Sequence, residues 1–306
     1  MNKILISIFL LIFSTRISAQ EIETDTNVVV VDTAAAIEEE SIIDEPVSET
    51  FSSGYLIDAQ TTYIPSSKTL EYVIQHRFGS MSTNGIGDLW GIYAPGANIR
   101  MGINYVILKN LQLGWGISKL NMYNDFNIKW TILEQTRKNT IPIAVSLFGD
   151  MAFDSRNKTA FGKTYSFGDR VAYFSQLIIS RKFNEWLSLQ AAASFTHFNA
   201  VDSLMEHDKI AIHFNGKMKF SPQGSFIFTY DMPLNLKSMS ENIPFTNPPK
   251  PNLAFGLEIA TSAHAFQIFI GTSAGILPQE IIMHNVNDFT KGGMAFGFVI
   301  TRIWSF

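Results

Sequence analysis

The 306-residue chain contains no cysteine and, beyond its first twenty residues, no long uninterrupted apolar run. Without cysteine the protein can form no disulfide bond and cannot be acylated as a lipoprotein. A membrane-spanning helix needs about eighteen consecutive apolar residues, and no stretch after residue 20 approaches that length. The composition therefore excludes helical membrane proteins and disulfide-stabilised secreted domains.

The first twenty residues have the organisation of an export signal. A basic start at residues 1–3 is followed by an apolar run at 4–13 and by Ile17-Ser18-Ala19, a plausible cleavage site. We expect residues 1–19 to be a secretory signal peptide rather than a buried helix, because these flanks are typical of one and the run is too short for an anchor. Export without disulfides or a helical anchor indicates the periplasm or the outer membrane of a Gram-negative cell.

Charge divides the remaining chain into two parts. Residues 20–50 hold ten acidic side chains and no Lys or Arg, so we predict a disordered acidic leader that cannot bury enough apolar surface to fold. Residues 51–306 hold 21 basic and 17 acidic side chains, an excess of +4 that is too small and dispersed to indicate a nucleic-acid partner. Within this part we expect a periplasmic lead-in segment at 51–68 and the folded domain at 69–306.

Alternation of apolar and polar residues dominates from residue 70 to the end, which predicts β-strands rather than helices. Most predicted strands have about the 9–11 residues that a tilted strand needs to cross a bilayer. The twelve predicted strands lie near 69–78, 97–107, 110–119, 124–134, 141–151, 170–181, 186–197, 208–218, 224–231, 252–260, 263–272 and 293–305.

The connections between these strands alternate between long and short. Four of the six odd-numbered connections approach twenty residues, whereas the five even-numbered ones are short. Short periplasmic turns and long external loops are typical of outer-membrane barrels, whereas a soluble β-sandwich explains the alternation of side chains but not this sorting of loops. We therefore predict an all-β protein, a transmembrane antiparallel β-barrel of about twelve strands in the Gram-negative outer membrane, with its N-terminus in the periplasm.

The last strand is typical of the closing strand of such a barrel. It ends on Trp304 and Phe306, which we interpret as the signal for the barrel-assembly machinery, while outer-membrane lipid surrounds the apolar face. Arg302 shares the lipid-facing parity, so it must reach the periplasmic interface or mark a bulge. Aromatic residues near the predicted periplasmic strand ends should form a girdle: Tyr105, Trp130, Phe183, Trp186, Phe220, Trp304 and Phe306.

Several motifs between residues 70 and 136 follow one another in a characteristic order. They are His76-Arg77-Phe78-Gly79, Asn98-Ile99-Arg100-Met101-Gly102-Ile103-Asn104-Tyr105, Leu113-Gly114-Trp115-Gly116 and Tyr123-Asn124-Asp125. In this order the chain resembles a Bacteroidota β-barrel family, domain of unknown function 5777, over most of residues 50–306. The third and fourth motifs depart slightly from the family pattern. The resemblance implies an outer-membrane barrel and no established activity.

The parity of the strands also identifies side chains that should face the lumen. Arg77 and Arg100 should lie on adjacent strands near the mouth, either as a basic patch that attracts anionic solutes or as a structural pair bound by loop carboxylates such as Asp88. We predict a narrow channel or transporter for small polar or anionic solutes; a non-conducting scaffold that binds a solute or protein partner is the alternative. The lumen-facing candidates are Glu71, Arg77, Arg100, Lys129, Lys209, His213, Lys217 and Glu258.

No motif indicates catalysis, a metal or a cofactor. The six histidines are scattered without ligand spacing, and no glycine-rich phosphate loop links a strand to a helix. A Ser–His pair near the rim would indicate a lipase, but no feature of the sequence pairs His213 with a serine. We therefore expect a protein without enzymatic activity and without a cofactor.

Overall fold

The computed structural model describes residues 44–306 except 49, 82–88, 90, 237–247 and 292. The expected signal peptide, most of the acidic leader and Asp88 lie outside the described residues. The elements are β1 (Tyr55–Leu56), β2 (Ala59–Gln60), β3 (Thr69–Ser80), β4 (Asn98–Leu108), β5 (Leu111–Ser118), β6 (Asn124–Leu133), β7 (Ala144–Phe153), β8 (Val171–Lys182), β9 (Leu187–Phe198), β10 (Asp208–Lys219), β11 (Gly224–Leu234), β12 (Asn252–Ala260), β13 (His264–Gly271), helix α1 (Pro278–His284) and β14 (Ala295–Ser305).

Strands β3 to β14 form one closed barrel in which each strand pairs with its neighbours along the chain. The last strand, β14, closes the barrel against β3 with antiparallel register from Ser305 opposite Thr69 to Ala295 opposite Ser80. Closure removes the free edges that an open sheet presents. The predicted twelve-stranded antiparallel barrel is thus confirmed, and the β-sandwich is excluded.

Side chains alternate between the two faces of the wall. On β4, for example, Ile103 is 40% exposed on the outer surface whereas its neighbour Asn104 is 2% exposed on the inner surface. The outer surface is a belt of exposed Ile, Leu, Phe and Trp side chains, as expected for a surface that contacts lipid. Arg302 stays on this outer face without a bulge, and its guanidinium lies 4.7 Å from the centre of the Trp304 ring. A cation–π contact thus accommodates the charge.

The two rims of the barrel differ in the length of their connections. At the rim that contains Thr69 and Ser305, β4 joins β5 through 109–110 and β12 joins β13 through 261–263. At the opposite rim β13 joins β14 through residues 272–294, which include α1. We call these the short-connection rim and the long-connection rim. No helix in the described part of the chain is long and apolar enough to cross a membrane.

Residues 51–63, which we call the lumen segment, lie inside the barrel, within the stretch 51–68 that the sequence predicts to be a periplasmic lead-in. Phe51, Leu56 and Ile57 are almost fully buried, and β1 and β2 pair within the segment through Tyr55 and Gln60. The sequence does not predict that this segment packs against the inner wall, because the segment is short and has little periodicity. Its apolar side chains also contact residues that are distant in sequence. Nearer the short-connection rim, Pro46 pairs with Thr136, so the end of the acidic leader contacts the connection between β6 and β7.

Candidate functional site in the barrel interior

The structure places the sequence-predicted lumen residues inside the barrel, distributed around the wall. All are 6% exposed or less: Glu71, Arg77, Arg100, Lys129, Lys209, His213, Lys217 and Glu258. Because they alternate with outward-facing apolar residues, strand parity alone is sufficient to assign their face. Parity does not reveal that most of them contact polypeptide inside the lumen, nor that Lys217 and Glu258 lie 3.7 Å apart as an ion pair.

Arg77 is bound by the lumen segment. Its guanidinium forms an ion pair with the carboxylate of Asp58, and both side chains are buried. In the described part of the chain Nε and Nη1 of Arg77 have no hydrogen-bond partner, so Asp58 is its principal anchor. The ring of Phe269 lies 5.0 Å from the guanidinium carbon.

Arg100 is bound differently, by the wall itself. Its Nε and Nη2 donate to the carboxylate of Asp125 on β6 at 2.9 and 2.5 Å, and Nη1 donates to Gln75 on β3 at 3.0 Å. The two arginines therefore lie on adjacent strands without forming one patch. The carboxylates bound to them are Asp58 and Asp125, and Asp88, the loop residue proposed from the sequence, lies outside the described residues.

A polar cage surrounds the backbone of Gly54. Glu71 accepts a hydrogen bond from the Gly54 N–H at 2.9 Å, and Lys129 donates to the Gly54 carbonyl at 3.4 Å. Lys129 also donates to Gln60 at 3.3 Å. A β-carbon on Gly54 would lie 2.8 Å from Glu71 and 3.0 Å from Lys129, so the close approach requires glycine.

The lumen segment is bound to the wall at other points along its length. Glu258 accepts from Ser52 at 2.7 Å, Gln267 accepts from the Ile57 N–H at 2.7 Å, and Gln190 donates to the Gln60 carbonyl at 2.7 Å. At the end of the segment the hydroxyls of Thr62 and Ser180 lie 2.5 Å apart.

An apolar cluster packs beside these polar contacts. Its members from the segment and from the wall are Phe51, Tyr55, Leu56, Ile57, Val73, Ile227, Ala254, Phe269 and Val299. Burial of such side chains stabilises the closed arrangement by roughly 1.5–3 kcal/mol for each large residue.

Helix α1 fills the lumen from the long-connection rim. Ile281 and Ile282 pack against an apolar part of the inner wall that includes Phe174 and Ile178 of β8. The sequence shows apolar residues on both faces of β8, and this contact explains the pattern. At the start of the helix Gln279 donates to Asp150 at 2.9 Å.

The far end of α1 is held by a cluster of titratable groups. Glu280 accepts hydrogen bonds from Tyr123 at 2.6 Å and from Nδ1 of His284 at 2.9 Å. Burial favours the neutral form of each partner, but the hydrogen bond and the opposite charge outweigh it, so the pKa of Glu280 is lowered and the pKa of His284 is raised. The helix is thus fixed by a pair in which each group favours the charged form of the other.

Two further sequence-predicted residues are paired with neighbouring side chains. Lys209 pairs with Glu206, which lies in the connection between β9 and β10. His213 lies between Ser194 and Asp231, with both contacts at 2.7 Å. Sequence reasoning missed this serine, because its pairing depends on the register between β9 and β10. Among the described residues no group of three His, Asp or Glu side chains is arranged for a metal ion.

A small cavity remains between the lumen segment and α1. It measures ≈ 20 Å³ as the space open to the centre of a water molecule, which is room for about one ordered water. Its lining combines the segment, the helix and the wall: Asp58, Ala59, Gln60, Phe174, Gln176, His213, Asp231, Pro278, Ile281 and Ile282.

A family model described as a membrane-bound β-barrel domain, domain of unknown function 5777, matches residues 51–304. No curated protein matches the chain. Among solved structures, the NanC porin is similar at 9% identity and a TM-score of 0.48, covering 77% of this chain and 99% of its own. An outer-membrane channel from Pseudomonas putida F1 is similar at 9% identity and a TM-score of 0.49, covering 79% of this chain and 97% of its own. Similarity at this level carries no conclusion about what this protein does.

Proposed function

The chain belongs to the family of membrane-bound β-barrel domains, domain of unknown function 5777, and we propose that it is a gated outer-membrane channel for small polar solutes, closed at rest by the lumen segment. The observation that carries the proposal is the polar character of the contacts between segment and wall. Glu71, Lys129 and Gln267 all bind backbone groups of the segment.

Such contacts can be exchanged for water when the segment leaves. A wall built only to hold a permanent filling would gain more stability from apolar packing, because buried ionised pairs repay their desolvation poorly. Withdrawal of the segment would instead expose a charged and amide-rich surface, which is the lining that polar solutes need. The polar wall thus favours a filling that is released.

The same geometry supports a preference for anions. The carboxylate bound to Arg77 belongs to the segment and leaves with it, whereas the carboxylate bound to Arg100 belongs to β6 and stays. An open lumen therefore contains Arg77 without its Asp58 partner, whereas Arg100 keeps Asp125. A positive charge in a confined bore attracts anionic solutes.

We propose the outer membrane as the location, with the short-connection rim and the N-terminus in the periplasm. The apolar outer belt supports a lipid environment, and the long connections match external loops. The barrel-assembly machinery is the expected partner during insertion, through Trp304 and Phe306.

A non-conducting scaffold is the second candidate, and the apolar cluster favours it. Phe51, Leu56 and Ile57 would lose their buried surface if the segment left the barrel. Helix α1 closes the opposite half independently, so two separate fillings would have to move before solutes pass.

Disulfide locking distinguishes the two candidates, because the chain has no cysteine of its own. The variant T62C/S180C would tie the segment to β8, where the two hydroxyls are 2.5 Å apart. The matched control T69C/S305C would join the neighbouring wall strands β3 and β14, whose hydroxyls are 3.3 Å apart.

A gated channel should show discrete openings in planar bilayers for the parent and for the reduced variant. Oxidation should abolish these openings in T62C/S180C and leave them unchanged in T69C/S305C. Absence of openings in the parent and in the reduced variant, with both folded, would contradict the channel and favour the scaffold.

A further inference from the structure

A row of five buried polar side chains crosses the inner wall from β8 to β12. Gln176 lies opposite Ser194, His213 lies opposite Asp231, and Asp231 lies opposite Asn252, while Ser194 and His213 are diagonal neighbours on β9 and β10. Side chains at directly opposed or diagonal positions on one face are within reach of each other. The register of the barrel therefore brings together a serine, a histidine and an aspartate.

The three side chains are connected in the order that activates a serine. The Oγ of Ser194 lies 2.7 Å from Nε2 of His213, and Nδ1 of the same ring lies 2.7 Å from Oδ1 of Asp231. In the tautomer in which Nδ1 donates to the Asp231 oxygen, Nε2 is left to accept a hydrogen bond from the serine hydroxyl. Asn252 donates to the second oxygen of Asp231 at 2.8 Å and fixes the carboxylate.

The cavity between the lumen segment and α1 opens onto this row. His213, Asp231 and Gln176 are among its lining residues. Gln176 lies opposite Ser194 in the register, and it also lines the cavity. An amide at this position is a candidate donor to an oxygen atom that develops negative charge beside Ser194.

The two fillings of the lumen bound the cavity at His213 and Asp231, the two residues that connect to Ser194. Gln60 of the lumen segment and Ile281 and Ile282 of α1 form the other sides of the cavity. The present volume accommodates about one water molecule. An acyl group can enter only after one of these elements has moved.

We propose that Ser194, His213 and Asp231 form the nucleophilic site of a latent esterase that accepts a small acyl ester when α1 or the lumen segment moves aside. The Ser194 oxygen bonds to the carbonyl carbon of the ester and its proton passes to Nε2 of His213. The ester C–O bond breaks, and the leaving alcohol takes that proton. Water then attacks the acyl-serine through the same histidine, which releases the carboxylic acid and restores the serine.

This inference departs from the sequence-based expectation of a protein without enzymatic activity, and it does not require ion conduction. A purely structural network would have the same hydrogen bonds at rest. It would not make Ser194 react faster than other buried serines, and this difference can be measured.

The test uses a fluorophosphonate probe, which modifies activated serines, on the folded full-length barrel. The variant I281S/I282S should loosen α1, and limited proteolysis would show that the helix is exposed. We expect an adduct on Ser194 by mass spectrometry, formed slowly in the parent and at least tenfold faster in I281S/I282S.

Variants of the row then distinguish catalysis from accessibility. In the loosened background, H213Q should slow the modification about a hundredfold or more, because the general base is lost. The matched control S146A removes a buried wall serine whose partner is Thr131 at 2.8 Å, and the rate at Ser194 should stay unchanged. The milder variant I282A replaces I281S/I282S if the latter fails to fold.

Two results would overturn the proposal. One is the absence of a Ser194 adduct in a folded variant whose helix is exposed to protease. The other is an equal rate of modification with and without the His213 side chain.

Discussion

Substitution of Asp58 by Asn should release the lumen segment while keeping the side chain almost the same size. Asp58 bears the carboxylate that neutralises Arg77, and both groups are buried. Asn keeps a carbonyl oxygen that can accept the 3.2 Å hydrogen bond from Gln75, but it carries no charge. The closed state of D58N would therefore contain a buried and uncompensated guanidinium.

The expected magnitude follows from the cost of that charge. Removing one partner of a buried ion pair costs about 3–5 kcal/mol, and each 1.4 kcal/mol changes an equilibrium about tenfold. Opening relieves most of this cost, because Arg77 becomes hydrated when the segment leaves. The ratio of open to closed molecules should thus increase by a factor between about one hundred and a few thousand.

Protease cleavage within residues 51–63 measures this ratio directly, and single-channel open probability measures it when α1 has also moved. The matched control is D125N, which breaks the Arg100–Asp125 pair within the wall and leaves the lumen segment untouched. It should lower the thermal stability of the barrel without raising the open probability. A folded D58N protein with the open probability and cleavage rate of the parent would refute the role of Asp58 in closure.

Three further predictions concern assembly, the wall and pH. Phe306→Ser should reduce membrane insertion far more than deletion of the acidic leader, because β14 must close the barrel against β3. Gly116→Ala should lower the thermal unfolding temperature of the barrel, because the new methyl group would lie 2.5–2.7 Å from atoms of the buried Arg100–Asp125 ion pair. The control Gly149→Ala should leave that temperature unchanged, because its methyl group meets its nearest atom at 3.5 Å. Because the pKa of His284 is raised, its pairing with Glu280 stabilises α1 fully below pH 6.5, and this stabilisation is lost as the pH rises through the raised pKa. Because the pKa of Glu280 is lowered, the pairing stabilises α1 fully above pH 4.5, and this stabilisation is lost as the pH falls through the lowered pKa. Protease sensitivity of α1 should therefore be lowest between pH 4.5 and 6.5 and should rise on both sides, and an E280Q variant should lack this dependence.

The wall of the barrel could be predicted from the sequence because strand parity is a local property. The alternation on β4, with Ile103 outside and Asn104 inside, follows from the pleat alone. The same rule places Arg77, Lys129 and Glu258 on the inner face without any knowledge of their partners. The count of strands followed from their length and from the sorting of their connections.

The filling of the lumen could not be predicted, because it depends on contacts between residues far apart in the chain. Asp58 and Gln267 have no local pattern that indicates a partner, and Ile57 meets Gln267 only because the barrel closes. The pairing of Ser194 with His213 likewise depends on the register between two strands. Apolar residues on both faces of β8 were the one local sign that part of the lumen is filled.

Hydrogen exchange of the backbone amides of residues 51–63 tests the central claim, that the lumen segment closes the barrel. The amides of Gly54 and Ile57 donate to Glu71 and Gln267 of the wall at 2.9 and 2.7 Å, and both are buried. In the intact barrel these amides should exchange far more slowly than in a free peptide of the same sequence, because they open only when the segment leaves. Exchange as fast as in the free peptide would contradict the claim and would place the segment outside the lumen.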